Sequence, residues 1–254
     1  MTRLAGLHAL VTGGGTGIGA AIARALAAEG VKLTLVGRRR EKLEEIGAEL
    51  SDALVAPADV TDREAVQGCF ALAREAQGPI AILINNAGAA ESAPFPEVTE
   101  EKWRRTMAVN LDALLHCCQA VLPDLLDAEA GRIVTVASTA GLKGYAYSAP
   151  YVAAKHGAIG LTRALAAELA RTRVTVNAVC PGFTDTELVA EAVANLQEKT
   201  GRGEAEARTA LTRFNPQGRL VTPAEVAATV VWLCLPESSS ITGQAIAVAG
   251  GEVT

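Results

Sequence analysis

The stretch LHALVTGGGTGIGAAIARALAAEG, residues 7–30, decides the fold. It begins with an apolar, β-prone run, continues through glycines at 13, 14, 15, 17 and 19, and ends in an amphipathic helical pattern that stops at Gly30. A strand, a glycine turn and a helix in this order suit a diphosphate, because backbone N–H groups and the helix N-terminus face the anion. A flexible turn is the alternative, but a strand and a helix flank the glycines as the binding motif requires.

Strand-like and helix-like segments alternate along the whole chain. Apolar runs without alternation, such as IAILI, are typical of strands that are covered on both faces. The pattern predicts one α/β domain over residues 1–254, a seven-stranded, doubly wound parallel sheet whose ligands bind at the carboxyl ends of the strands. The predicted strands are 8–12, 32–36, 53–57, 80–84, 132–138, 174–179 and 244–248, and the predicted helices are 17–29, 39–50, 62–76, 99–126, 149–171, 185–213 and 222–235. We interpret 185–213 as a mobile helical insertion near the substrate.

Composition narrows the possible functions. The net charge of −5 over 254 residues gives no support for nucleic-acid binding. The five cysteines lack the spacing of a zinc site or a disulfide framework, so we expect no metal. No secretory pattern precedes residue 7, and no run reaches the ~20 apolar residues of a membrane span. A reducing cytoplasm is the expected location.

A second motif is STAGLKGYAYSAPYVAAK, residues 138–155. Tyr151 and Lys155 are one helical turn apart, and Ser138 follows the apolar strand pattern RIVTVA. A phenol, an ammonium and a hydroxyl can therefore meet at the end of a strand, where they could move a proton to or from a carbonyl oxygen. The nearby cation should lower the phenol pKa from ~10. An ordinary loop and helix is the alternative, because Y-x-x-x-K also arises by chance.

Taken together, the motifs point to a known family. They are TGGGTGIG (12–19), Asp59-Val60, NNAG (85–88), Asn110, Ser138, YVAAK (151–155), and Pro181-Gly182 with Thr184 and Thr186. In this order and spacing, the chain resembles the short-chain dehydrogenases/reductases over essentially its full length. The resemblance implies a Rossmann fold and reversible hydride transfer between a nicotinamide cofactor and a carbonyl/alcohol pair. The family's regulators usually lack the Tyr or Lys, so a non-catalytic nucleotide-binding regulator is a lesser alternative.

The resemblance also implies a role for each site residue. Tyr151 would be the general acid in ketone reduction, Lys155 would lower its pKa and hold the nicotinamide ribose, and Ser138 would bind the substrate oxygen. Asn110 would hold a water that links Lys155 to solvent, or alternatively would only kink its helix. The implied cofactor-binding residues are Gly13, Gly15, Thr16, Gly17, Ile18, Gly19, Arg38, Arg39, Asp59, Val60, Asn86, Ala87, Gly88, Tyr151, Lys155, Pro181, Gly182, Thr184 and Thr186.

The end of the second predicted strand indicates which cofactor is preferred. NAD enzymes place an acidic residue there for the ribose 2′-OH. This chain has Gly37, Arg38 and Arg39 instead, which suits a 2′-phosphate. The alternative is that these arginines are merely solvated. We therefore expect NADP(H) to be preferred, with NAD(H) possible.

The substrate is the least determined part of the prediction. The implied substrate-binding residues are Ser138, Leu142, Tyr145, Tyr151, Phe183 and Leu188. The stretch after Ser138 resembles ketoreductases of aromatic polyketides and fatty acyl chains, and the C-terminal end resembles 3-hydroxyacyl-CoA dehydrogenases. The expected substrate is a 3-oxoacyl thioester of CoA or a carrier protein, whose phosphates Lys143 and Arg202 could attract. The alternative is a free hydrophobic ketone or secondary alcohol. A homotetramer is expected.

Overall fold

The computed structural model describes residues 3–201 and 203–253, with the backbone alone at 195, 196, 199 and 200. The strands are His8–Thr12 (β1), Lys32–Gly37 (β2), Ala53–Pro57 (β3), Ile82–Asn85 (β4), Gly131–Val136 (β5), Val174–Pro181 (β6) and Ala245–Val248 (β7). The helices are Gly17–Ala28 (α1), Arg40–Glu49 (α2), Arg63–Gln77 (α3), Glu100–Met107 (α4), Ala113–Asp127 (α5), Ala149–Glu168 (α6), Glu187–Thr200 (α7), Glu204–Thr212 (α8) and Pro223–Cys234 (α9). Within the described residues, none of these helices has the length and apolar character needed to cross a membrane.

The seven strands form one parallel sheet in the order β3-β2-β1-β4-β5-β6-β7. Chain order reverses between β1 and β4, which is where such sheets bind dinucleotides. Because every strand runs in the same direction, all carboxyl ends lie at one edge. The predicted doubly wound parallel sheet is confirmed.

Apolar side chains from both faces of the sheet make the core. On one face Val11 packs with α1 and α9, through residues such as Ile22 and Val230. On the other face Leu10 packs with α3 and α5, through residues such as Phe70. Neighbouring residues of β1 thus point into two different helix layers, which is why the strands are apolar without alternation. Helices therefore cover both faces of the sheet.

The single helix predicted over 99–126 is divided in two. A π-helical turn at Ala108–Asp112 separates α4 from α5, and Asn110 lies at its centre. The Asn110 amide donates to the carbonyl oxygens of Thr106, at 3.0 Å, and Ala89, at 2.8 Å. A buried side-chain amide that bonds both to its own helix and to a neighbouring loop stabilises this local widening. Helical periodicity alone gave no sign of the interruption.

The predicted helical insertion at 185–213 consists of two helices. Helix α7 ends before Gly201, whose φ of +68° is left-handed and favours glycine, and α8 begins at Glu204. Arg202 lies outside the described residues. The mobility expected of this segment stays a prediction, which hydrogen exchange would test.

Some strand boundaries also differ from the predictions. The predicted strand 132–138 ends earlier, at Val136, because Ser138 instead accepts a hydrogen bond from the Ala140 N–H and caps a short 3₁₀ turn. The predicted strand 174–179 continues to Pro181, since its last residues pair with β7 up to Val248. Both changes occur at the carboxyl edge, where the site residues lie.

Candidate active site

The glycine turn between β1 and α1 forms an open cradle. Gly13 and Gly17 have φ values of +65° and +51°, a region that disfavours other residues. A Cβ on Gly17 would lie 3.1 Å from the Thr186 side chain, so this glycine allows the β6–α7 connection to approach. The N-cap of α1, Thr16, makes no side-chain bond to the helix. The first N–H groups of α1 therefore face this cradle without a side-chain cap, as diphosphate binding requires.

The NNAG segment joins the ends of β4 and β1. The Asn86 side chain donates to the carbonyl oxygens of Thr12, at 3.0 Å, and Gly13, at 3.2 Å. The backbone N–H groups of Asn86 and Ala87 both donate to the Thr12 hydroxyl, at 2.9 and 3.0 Å. These bonds fix the position of the glycine turn on the sheet edge.

Asp59 and Val60 follow β3 at the same edge. The Asp59 carboxylate accepts bonds from the Thr61 N–H, at 3.0 Å, and the Thr61 hydroxyl, at 2.8 Å. Burial alone would raise the pKa of Asp59, but the bonds from Thr61 and the charge of Arg38 together lower it. The carboxylate is thus held ionised in a fixed turn beside the predicted adenosine site, and Arg38 lies close enough to interact with it.

The two arginines after β2 have different surroundings. Arg39 bridges two elements, since it donates to the Thr16 hydroxyl at 3.3 Å and to Glu187 at 3.1 Å. Arg38 is exposed, and its positive charge helps to lower the pKa of Asp59. The Arg39 guanidinium lies next to the glycine cradle, and Arg38 acts on Asp59 at the same sheet edge, which agrees with a site for an added phosphate. Because Glu187 already neutralises part of the charge of Arg39, Arg38 is the better placed of the two.

Ser138, Tyr151 and Lys155 meet at the ends of β5 and α6. The Lys155 ammonium is 5.6 Å from the centre of the Tyr151 ring and donates to the carbonyl oxygen of Val136 at 3.0 Å. Val136 is the last residue of β5, two positions before Ser138. The lysine thus ties the helix that carries the phenol to the strand that positions the hydroxyl.

Burial governs the ionisation of these groups. It raises the pKa of the Tyr151 phenol, while the Ser138 hydroxyl acts in the opposite direction. It lowers the pKa of Lys155 to about 8, because the residue is only 4% exposed. The sequence argument expected Lys155 to lower the pKa of Tyr151. In the structure burial raises the pKa of Tyr151 instead, and the opposing contribution comes from Ser138, so the phenol keeps its proton at neutral pH.

Asn110 reaches this group from the π-helical turn. Its Oδ1 accepts from the Ala89 N–H at 3.3 Å, which ties the loop after β4 to the turn. A Cβ on Gly88 would lie 2.9 Å from Asn110 Oδ1 and 3.6 Å from Lys155 Nζ. Gly88 therefore leaves the space between the amide and the ammonium open. The helix is distorted at Asn110, as the alternative role for this residue predicted. Asn110 also lies close to Lys155.

The segment after β6 closes the other side of the site. The Thr184 hydroxyl donates to the carbonyl oxygen of Gly182 at 3.0 Å, and the Thr186 hydroxyl donates to that of Thr184 at 3.2 Å. These bonds hold a compact turn from Pro181 to the start of α7. The turn lies against Gly17, so it joins the glycine cradle to the predicted nicotinamide end.

The predicted substrate residues are only partly grouped together. Tyr145 and Phe183 are in edge contact, with ring centres 6.1 Å apart. Phe214, which the sequence analysis did not select, stacks on Phe183 at 5.6 Å and contacts Tyr145 at 5.8 Å. Leu142 instead packs into a small core cluster with residues such as Ile159, and Leu188 is exposed. The part of the predicted substrate site that the structure groups together is therefore aromatic, whereas Leu142 belongs to a different cluster.

Glu252 is a second residue that the sequence analysis missed. Its side chain is fully buried, receives a hydrogen bond from Tyr145, and lies 3.1 Å from the Lys143 ammonium. Lys143 is therefore already paired and is poorly suited to attract a carrier's phosphates. A single acidic residue in the tail AVAGGEVT carries no pattern that would place it beside Tyr145, 107 positions away.

Comparison with known proteins agrees with this arrangement. The family model for short chain dehydrogenase matches residues 7–197. The chain is 39% identical to a putative ketoacyl reductase of Streptomyces coelicolor, with 96% of this chain and 95% of that protein covered. It is 38% identical to galactitol 2-dehydrogenase (L-tagatose-forming) of Cereibacter sphaeroides, with 98% and 96% covered.

A solved structure shares the fold along nearly the whole chain. It is a crystal structure of an actinorhodin polyketide ketoreductase variant with NADPH, which superposes with a TM-score of 0.93 at 37% identity and covers 97% of each chain. The resemblance identified from the motifs is thus confirmed by an independent match in sequence and in fold. This chain belongs to the short-chain dehydrogenase family.

Proposed function

We propose that this protein is an NADP(H)-dependent oxidoreductase that interconverts a 3-oxoacyl thioester and the corresponding 3-hydroxyacyl thioester. The observation that carries the proposal is the convergence of Ser138, Tyr151 and Lys155 on the edge of the sheet that also holds the glycine cradle. Similarity to a ketoacyl reductase and to a polyketide ketoreductase with NADPH supports this substrate and this cofactor.

The residues present fit the cofactor. The cradle at Gly13, Gly17 and Gly19 leaves space that a side chain would fill, and it faces the N-terminus of α1. Arg38, with help from Arg39, would bind the 2′-phosphate, and Asp59 and Val60 would contact the adenine. The other residues proposed to hold the cofactor are Gly15, Thr16, Ile18, Asn86, Ala87, Gly88, Tyr151, Lys155, Pro181, Gly182, Thr184 and Thr186.

Proton transfer is the chemical task of the chain's own residues. When bound, NADPH supplies the hydride that reduces the carbonyl carbon. In this proposal the Tyr151 phenol donates its proton to the carbonyl oxygen, and the Ser138 hydroxyl donates a hydrogen bond to the same oxygen. One hydride and one proton convert the ketone into the alcohol. The raised pKa of Tyr151 keeps the proton available at neutral pH.

Lys155 and Asn110 would restore the proton. An ammonium near the phenol stabilises the phenolate that forms when Tyr151 gives up its proton. In this proposal a water beside Gly88, between Asn110 Oδ1 and Lys155 Nζ, would link Lys155 to solvent. We infer that protons reach Tyr151 along this route.

A free ketone or secondary alcohol is the second candidate substrate. Similarity to galactitol 2-dehydrogenase favours it, since that protein's name describes oxidation of a free polyol. The aromatic wall of Tyr145, Phe183 and Phe214 favours an apolar chain over a sugar alcohol. The reverse, oxidative direction would make the protein a 3-hydroxyacyl-CoA dehydrogenase.

Turnover measurements distinguish these candidates. NADPH consumption is followed with a panel of 3-oxoacyl thioesters of CoA and of acyl carrier protein, with matched free ketones, and with NADH in place of NADPH. We expect thioesters to give the highest kcat/KM. Turnover of free ketones alone would select the second candidate. No turnover with either class, in a protein that binds NADPH, would contradict the proposal and favour a regulator.

The location and the assembly also belong to the proposal. All five cysteines are free and buried, which agrees with a reducing cytoplasm. Exposed apolar side chains on α4 and α5, among them Trp103 and Leu115, support a homotetramer. Fractionation of the source cells would test the location.

A further inference from the structure

A long-range ion pair lies beside the glycine cradle. Arg39, directly before α2, donates from Nη2 to the Glu187 carboxylate at 3.1 Å, across 148 positions of the chain. The same nitrogen donates to the Thr16 hydroxyl at 3.3 Å. Thr16 is the N-cap of α1, and Glu187 is the first residue of α7. One guanidinium therefore joins the β2–α2 connection to the starts of two other helices.

The cations that follow Arg39 are paired in a different way. Arg40 pairs with Glu44 at 3.5 Å, and Lys42 pairs with Glu45 at 2.8 Å. Both partners are three or four positions along α2, so the helix itself brings each pair together. The partner of Arg39 belongs to α7, and only the tertiary structure brings it to the end of β2.

The pair lies where the starts of α1 and α7 meet. A Cβ on Gly17 would lie 3.1 Å from the Thr186 side chain. Neither Thr16 nor Thr186 caps its helix with a side-chain bond, so the first N–H groups of both helices favour an anion. Glu187 already places a carboxylate there. A negative charge of the chain itself thus lies next to the site proposed for the cofactor phosphates.

The ion pair is open to exchange with a ligand. The Arg39 and Glu187 side chains are 58% and 53% exposed, so a ligand can reach both groups. Exposed pairs of this kind stabilise a protein only weakly. A phosphate carries more negative charge than a carboxylate and accepts two parallel bonds from a guanidinium. A phosphate at this position is therefore a stronger partner for Arg39 than Glu187 is.

We propose that Glu187 limits the NADP(H) preference by competing with the ribose 2′-phosphate for Arg39. Glu187 holds the guanidinium, and the incoming 2′-phosphate must displace it. NADH has no such phosphate and leaves the pair intact, so the competition weakens the binding of NADPH alone. Glu187 is a positioning residue, because it acts through Arg39. This role rests on the proposed function, since NADP(H) is the cofactor that brings a 2′-phosphate to the β2–α2 connection.

The first test measures the dissociation constants of NADPH and NADH, by fluorescence titration, for the wild type and Glu187→Gln. The substitution keeps the size of the side chain and removes its charge. We expect the ratio of the NADH constant to the NADPH constant to rise about two- to fivefold, the size expected of one exposed ion pair. An effect of the lost charge on the diphosphate is common to both cofactors and cancels in the ratio. An unchanged or lower ratio would overturn the inference.

Two further variants control for charge and for folding. Glu44→Gln removes the same charge from α2, where Glu44 pairs with Arg40, and should keep the wild-type ratio. An equal rise in Glu44→Gln would assign the effect to net charge and overturn the inference. Glu187→Ala should show the same rise as Glu187→Gln, and it decides the matter if the glutamine variant fails to fold.

The second test repeats Glu187→Gln in an Arg39→Ala background. With the guanidinium gone there is nothing to compete for, so the substitution should leave the ratio unchanged. The same rise in both backgrounds would indicate direct repulsion between Glu187 and the phosphate, and would overturn the role of Arg39. These measurements involve no thioester, so they are independent of the substrate. A wild type that binds neither cofactor would refute the proposed function itself.

Discussion

Tyr151 and Lys155 lie on the same turn of α6 but respond to burial in opposite ways. The neutral form is favoured in both, so the phenol holds its proton more tightly while the ammonium holds its proton less tightly. The proton donor proposed for reduction is thus protonated at neutral pH. The lysine, whose pKa is about 8, is charged below that value and loses its charge above it.

Replacement of Tyr151 by Phe tests the proton donor directly. Since the hydroxyl is the only group assigned to proton donation, kcat should fall by ~10²–10⁴. The NADPH dissociation constant should change little, because all other residues proposed to hold the cofactor, including the glycine cradle, are unchanged. Steady-state kinetics and fluorescence titration measure the two quantities. Retention of more than half of the wild-type activity would exclude Tyr151 as the donor.

Replacement of Lys155 by Met tests the cost of burying the ammonium in the unliganded protein. The folded-state pKa is about 8, whereas a lysine in an unfolded chain titrates near ~10.4. Between these values the unfolded chain binds more protons, so the free energy of unfolding of the wild type rises with pH. That contribution is lost as the pH falls through about 8. The methionine variant lacks it.

The expected difference can be measured by urea unfolding at several pH values. The wild type should gain stability relative to Lys155→Met by roughly 2 kcal/mol from about pH 8 to about pH 9.5, at ~1.4 kcal/mol per pH unit. Below about pH 8 the difference should be constant. A difference that stays flat throughout would mean that Lys155 keeps an ordinary pKa when folded.

At the scale of elements, we propose that the connection between β2 and α2 determines the cofactor preference. Its two arginines look equivalent in the sequence, but Arg39 is tied to Thr16 and Glu187, while Arg38 is exposed beside Asp59. The fold therefore distinguishes Arg38 from Arg39 as candidates for binding the phosphate, whereas the sequence does not. Because Arg39 donates to Thr16, the same connection also contacts the glycine cradle. It can therefore influence both ends of the adenosine site.

We expect kcat/KM with NADPH to exceed that with NADH by at least about tenfold, since hydrogen bonds to charged groups contribute roughly 1.5–3 kcal/mol. Arg38→Ala should reduce this ratio more than Arg39→Ala does. Arg40→Ala is the matched control, because Arg40 pairs with Glu44 within α2 at 3.5 Å. Equal use of both cofactors by the wild type, or a preference for NADH, would refute the assignment.

The whole molecule leaves apolar surface uncovered. Trp103 on α4, Leu115 and Leu126 on α5, and Trp232 on α9 are each at least 39% exposed. Patches of this kind mark sites of association. Two separate faces, one at α4 and α5 and one at α9, could each pair across a two-fold axis, and two such contacts build a D₂ tetramer.

Sedimentation equilibrium at micromolar concentration should give a mass of about four times the 26.1 kDa chain. Leu115→Glu and Trp232→Glu should each reduce it to a dimer, because a buried charge disfavours only the contact that contains it. Leu72→Glu is the control, since this exposed leucine lies on α3 and not on α4, α5 or α9. A wild-type mass near that of one chain would exclude the oligomer, and a stable dimer would exclude one of the two interfaces.

Much of this molecule follows from local sequence. Hydrophobic period and glycine position are local signals, so the chain predicts its strands, the glycine cradle and the doubly wound parallel sheet. The direction of each strand also follows from the local pattern. Because parallel strands share one carboxyl edge, residues that follow strands, such as Ser138 and Asn86, must lie at that edge. The motifs then identify the family, which implies the roles of Tyr151 and Lys155.

Other features depend on contacts between distant residues, and only the tertiary structure decides them. The π-helical turn at Asn110 exists because its amide bonds a loop in another segment. The pKa of Tyr151 is raised because packing removes water, an effect that the spacing of Tyr and Lys cannot express. Phe214 and Glu252 contact Tyr145 from segments without any motif. The local sequence pattern specifies the helices, the strands and the strand direction, whereas the burial and the contacts of a side chain depend on the whole fold.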